Sequence, residues 1–78
     1  MITSAAPTQI THTLAIGNPY VSENRILQRA LTTHGYAVTP DGVFGPRTQA
    51  AVMGFQTRHG LSADGILGPV TARALGIG

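Results

Sequence analysis

Asp41-Gly42-Val43-Phe44-Gly45-Pro46-Arg47-Thr48-Gln49-Ala50-Ala51-Val52 is written a second time, twenty-three residues on, as Asp64-Gly65-Ile66-Leu67-Gly68-Pro69-Val70-Thr71-Ala72-Arg73-Ala74-Leu75. Both copies follow the pattern D-G-(aliphatic)-(large apolar)-G-P-x-T-x-x-A-(aliphatic), as expected for one supersecondary unit duplicated with its turn and its apolar face. Asp before Gly signals a turn, because the carboxylate accepts from backbone N–H groups just ahead and Gly42 or Gly65 takes a positive φ. Gly45 and Gly68 suit a helix cap, and Pro46 and Pro69 suit the first helical residue, where no N–H is needed. Thr48 and Thr71 fall in the first turn, within reach of an unpaired N–H. At least one residue of Val43-Phe44, and one of Ile66-Leu67, is expected to plug the turn into a core.

Outward from this stretch, three helices are predicted. The first spans Ser22 to Thr33, with Ser22 as cap, Glu23 complementing the positive end and Gly35 as terminator. Its apolar stripe is Ile26, Leu27, Ala30 and Leu31, extended by His34. The second runs from Pro46 to about Arg58, stops at Gly60, and carries Thr48, Ala51, Val52 and Phe55 inward. The third, Pro69 to Leu75, turns Val70, Ala74 and Leu75 inward. A fainter echo joins the copies: Leu27-Gln28 and His34-Gly35-Tyr36 precede the first Asp-Gly as Phe55-Gln56 and His59-Gly60-Leu61 precede the second. The fold class is therefore all-α, a compact three-helix bundle built on two DGxxGPxT turn-helix repeats.

Residues 1–20 differ from the rest in carrying no charge. Ile10, His12, Leu14 and Ile16 alternate with Thr11, Thr13 and Ala15, the period of a short strand or extended arm. A lone strand leaves its backbone groups unpaired, so the arm lies on the domain, pairs with another chain or stays flexible. The organisation expected is an extended or flexible arm over 1–20 and a helical domain over 21–78.

Composition narrows the function. Seventy-eight residues make one small domain, and with no cysteine there is neither a disulfide nor a thiolate zinc site. Five arginines against Glu23, Asp41 and Asp64 give a net charge of +2. That is too little for strong non-specific nucleic-acid binding, and Arg73 is the only base on the third helix, so no nucleic-acid partner is expected. No stretch approaches the roughly 20 apolar residues of a membrane span, and no basic leader precedes an apolar run. The chain is thus a segment of a longer protein, or one that leaves the cytoplasm by a route such as lysis; Met1 favours a complete product.

Asp41 and Asp64 are the carboxylate pair a glycosidase would need, but their identical turn position already accounts for both. His12, His34 and His59 lack ligand spacing, and the last two each precede a helix-ending Gly, where an imidazole meets the helix dipole. No catalytic residue, metal site or cofactor is expected.

The order helix, HG-(apolar), DGxxGPxT, helix resembles the peptidoglycan-binding domain family, a wall-targeting module of bacterial and phage lytic enzymes. The resemblance rests on Leu27-Gln28, Leu31, Gly35-Tyr36, Asp41 to Pro46 with Thr48, Ala51-Val52, Phe55-Gln56, Gly60-Leu61, and Asp64 to Pro69 with Thr71. It covers about residues 22 to 76 and implies a three-helix bundle with a non-catalytic role in binding cell-wall peptidoglycan, at the wall, outside the cell or on a phage virion. Two departures stand out: Asn24 replaces a common aliphatic residue three positions before the Leu-Gln pair, and these 78 residues hold no hydrolase beside the module. On this reading Tyr36, Arg47, Gln49, Gln56 and Arg58 are the candidate wall contacts, the structural alternatives being a packed ring for Tyr36, a bond to the loop between the repeats for Gln56 and plain solvation for the arginines, while Asp41, Gly42, Gly45, Pro46, Asp64, Gly65, Gly68 and Pro69 build the turns. The alternative is a decorating subunit of a phage particle, reusing this fold and docking on a neighbouring virion or enzyme subunit through residues 1–20.

Overall fold

The structure, a computed structural model, describes residues 9–78; the first eight residues of the expected arm lie outside that range. Three helices follow one another, α1 (Val21–Thr33), α2 (Pro46–Arg58) and α3 (Pro69–Leu75). Gly45 and Gly68 are the extended N-cap residues of α2 and α3, each followed by proline at the first helical position. Helix α1 begins differently. Its N-cap is Tyr20, no side chain caps it, and Ser22 lies inside the helix. The expected Ser22 cap gives way because Asn18 has already fixed the entry: its Oδ1 accepts from the Tyr20 N–H at 2.8 Å.

All three helices stop in the same way. The N–H groups of Tyr36, Leu61 and Ile77 reach back to the carbonyls of Leu31, Gln56 and Ala72, and those of Gly35, Gly60 and Gly76 reach those of Thr32, Thr57 and Arg73. This is the double hydrogen bond of a Schellman ending, and after the glycine Tyr36 packs against the core and Ile77 joins it.

The core joins Leu27 and Leu31 of α1, Val52 and Phe55 of α2, Ala72 and Leu75 of α3, and Phe44 and Leu67 from the two turns. In each turn the second apolar residue is the plug: Phe44 and Leu67 are buried, whereas Val43 and Ile66 are exposed. Removing each plug from water contributes about 1.5–3 kcal/mol. On α3 the inward face is Thr71, Ala72 and Leu75. Val70 and Ala74, expected inside, point outward, because the position of Thr71 against α2 fixes the rotation of this short helix.

Residues 9–20 run across the bundle. Leu14 is fully buried and exchanges both backbone hydrogen bonds with Leu67, at 3.0 and 2.8 Å, in an antiparallel bridge. Ile10 donates to Ile77, and Gly17 to Phe44. The arm thus satisfies its backbone on both turns and the C-terminus, turning at residues 15–18 before it enters α1. Asn24 has a place in this arrangement too. Buried at the start of α1, it donates to the Gly42 carbonyl at 3.0 Å and accepts from Asn18 of the arm at 2.9 Å. A polar residue at this apolar position therefore connects the arm to the first turn.

Candidate functional site

The two Asp-Gly turns are held by one hydrogen-bond arrangement, used twice. Gln28 is fully buried on α1, and its Nε2 faces Asp41 Oδ1 at 3.1 Å, the Val43 carbonyl at 2.9 Å and Thr48 Oγ1 at 3.1 Å. Its Oε1 accepts the Gly42 N–H at 2.9 Å. Gln56 on α2 repeats the set with Asp64 at 3.0 Å, Ile66 at 3.0 Å, Thr71 at 3.1 Å and the Gly65 N–H at 3.0 Å. Each Asp Oδ1 also takes the N–H two residues ahead, at 2.9 Å in both copies. The threonines therefore accept from a glutamine amide instead of capping a backbone N–H.

Gly42 and Gly65 have φ of +81° and +74°, and each is roofed by the preceding helix. A Cβ on Gly42 would meet Val21 Cγ1 at 2.6 Å; one on Gly65 would meet Gln49 Cγ at 2.8 Å. Both conformation and close approach thus call for glycine.

Asp41 and Asp64 both hold their carboxyls below the ordinary range, first through the N–H of Val43 or Ile66 and then through the amide of Gln28 or Gln56. A carboxyl whose folded pKa is depressed contributes stability that is complete above its unfolded value, about 3.9, and lost as pH falls through the folded value. The thermal midpoint is accordingly expected to hold level down to about pH 5 and to fall below about pH 4. An Asp64→Asn variant, followed by circular dichroism, should show a smaller acid loss.

The five candidate contacts do not converge on one site. Gln56 is inside, its amide committed at both ends, so it belongs to the second turn and is removed from the contact surface. Tyr36 packs edge-on to Phe55, with its hydroxyl buried and unpartnered in the protein. Gln49 lies over Gly65. Arg47 and Arg58 are exposed at opposite ends of α2, eleven residues apart, or about 16 Å along the axis. Arg47 borders a cleft of about 290 Å³ lined by Val43 and Pro46 beside Asp41, and Gln56 lies at the back of the matching cleft in the second copy. The corresponding cleft of the second copy, about 440 Å³, has Val70 where the first has Arg47.

A third concavity was not anticipated. Between the arm and α1 lies a groove of about 580 Å³, bordered by Gln9, Thr11, Glu23, Arg25, Ile26 and Arg29. Glu23, expected only to complement the helix end, fastens the arm. It accepts from the N–H and hydroxyl of Thr11 at 3.1 and 2.7 Å and from the N–H of His12 at 3.1 Å, and faces His12 Nδ1 at 3.0 Å. Burial pushes its carboxyl up, but these bonds together outweigh that and hold it below the usual range. His12 in turn stacks on Tyr20, centroids 3.9 Å apart.

The remaining histidines keep to the helix ends. His34 and His59 are the C-cap residues of α1 and α2, and His59 Nδ1 lies 3.0 Å from the Phe55 carbonyl. Among the described residues no three His, Asp or Glu side chains group as a metal site, and no helix is long and apolar enough to cross a membrane.

A three-helix module made of two glutamine-held turn-helix repeats is the class of protein these features define. The chain belongs to the peptidoglycan binding domain family, whose profile matches residues 22–75. It is similar to the N-acetylmuramoyl-L-alanine amidase CwlM of Mycobacterium tuberculosis, 44% identical over 72% of this chain and 14% of the amidase. It is also similar to the zinc D-Ala-D-Ala carboxypeptidase of Streptomyces albus G, 57% identical over 47% of this chain and 14% of that enzyme. Among solved structures, a peptidoglycan-binding protein from Clostridioides difficile, crystallised with glutamine hydroxamate, superposes with a TM-score of 0.80 at 45% identity. That match covers 85% of this chain and 41% of the other. The chain thus spans less than half the length of each of these proteins.

Proposed function

We propose that this chain binds bacterial cell-wall peptidoglycan without catalysing a reaction, as a targeting or attachment module that works at the wall, outside the cytoplasm. The observation that carries this reading is the family match over residues 22–75, reinforced by a 45% identical solved neighbour named for peptidoglycan binding. Two relatives are named for bonds within the same polymer, D-Ala-D-Ala and N-acetylmuramoyl-L-alanine, and the matched stretch is a small part of each. The chemistry of the aspartates fits a non-catalytic role, since a carboxylate held ionised by its own turn makes a poor general acid.

The clefts are shallow and small, so a single domain binds weakly, and tethering to another domain or presentation in several copies raises the effective strength. Arg47 with its apolar floor, Tyr36, Gln49 and Arg58 remain the proposed contacts outside the arm groove. No observation favours the decorating-subunit alternative. The test is co-sedimentation with purified, protein-free sacculi: the chain is expected in the pellet well above a scrambled-sequence control, and equal recovery of the two rejects the reading.

A further inference from the structure

We propose that the groove between the arm and α1 receives the free carboxylates of the wall's stem peptides, bound by Arg25 and Arg29; this inference rests on the wall-binding reading. The two guanidiniums stand four residues apart on one exposed helix face, about 6 Å along the axis. Like charges at that spacing weaken a helix. Neither is in an ion pair among the described residues.

The reason lies in the whole chain's charge. Its acidic side chains are Glu23, Asp41 and Asp64 alone. Glu23 is enclosed by Thr11 and His12, and each aspartate is tied into its turn. Arg25 favours the ionised form of Asp41 through space without pairing with it. The groove therefore presents two guanidiniums whose donors have no partner among the described residues, with Ile26 as an apolar wall and Gln9 and Thr11 also lining it.

An arginine fork matches a carboxylate bidentately, and an extended peptide with more than one carboxylate can engage both arginines along the helix. Seating the arm makes the site: Glu23 draws Thr11 against α1, which closes the groove's second wall. Glu23 itself borders the groove, but with its oxygens already accepting from the arm it repels an incoming anion less than a free carboxylate would.

The experiment uses the full chain and sacculi from which phosphate-bearing polymers have been extracted, either untreated or with their carboxyls converted to amides. Wild type is expected to pellet with untreated sacculi, and amidation or the double variant Arg25→Gln/Arg29→Gln each to lower retention about ten-fold or more. Arg73→Gln, the same charge change on α3, should match wild type, and unchanged thermal unfolding of all variants shows that folding is intact. Should the double variant bind untreated sacculi as wild type does, the groove is not the site, while wall binding stands. Wild type that pellets with sacculi still carrying their phosphate-bearing polymers but not with the extracted ones assigns the arginines to phosphate and overturns the proposal. A wild type that pellets with no sacculus overturns both readings.

Discussion

Gln56→Leu is expected to remove a large share of the domain's stability. The leucine fills the same volume, but the Gly65 N–H, the Ile66 carbonyl and the Thr71 hydroxyl lose the amide that pairs with them. A buried polar group left unpaired costs about 1–3 kcal/mol, so about 3–5 kcal/mol for the set is reasonable. A domain of this size has about 4–12 kcal/mol in total. The thermal midpoint should fall by at least about 12 °C. Gln28→Leu should behave alike, because the Gly42 N–H, the Val43 carbonyl and Thr48 stand in the same relation to it. A small loss in either variant would mean that water replaces the amide and that the turns persist without it.

Leu14→Ala is the second large effect, and it concerns a residue outside the stretch that matches the family. Its side chain is fully buried and its backbone bridges Leu67, so truncation leaves a cavity beside the second turn. Large-to-small changes of this kind cost about 2–5 kcal/mol. Urea unfolding should show the midpoint shifted with the slope unchanged. Removing residues 1–20 altogether should cost at least as much, because the Asn18–Asn24 bond and the hold of Glu23 on the arm go with it. An unaltered midpoint would show that the arm detaches freely.

The helices and turns were legible because their signals are local. Gly-Pro marks the start of α2 and α3, His-Gly marks the end of α1 and α2, and an Asp-Gly pair needs only its neighbours to form a turn. Gln28 and Gln56 were visible as recurring residues; the role of Gln28 was not, and for Gln56 the sequence offered both a wall contact and a bond to the loop between the repeats, of which the structure shows the second. A glutamine on a helix face does not by itself select a loop thirteen or eight residues on until the packing brings Asp41 or Asp64 to it. Leu14 was one apolar residue in an alternating run; which member is buried depends on where Leu67 offers its backbone. Val70 misled for a related reason: in a seven-residue helix an apolar side chain does not determine the face, and the hydrogen bond to Thr71 does. Arg25 and Arg29 gave no signal, since their interest comes from the arm laid beside them and from carboxylates engaged elsewhere.

The central claim is that two buried glutamine amides organise the duplicated turns. Exchange of the side-chain amide protons, followed by nuclear magnetic resonance, tests it most directly. The signals of Gln28 and Gln56 should be shifted and protected by orders of magnitude relative to exposed Gln9. Exchange of all three at the rate of a free amide would contradict the account.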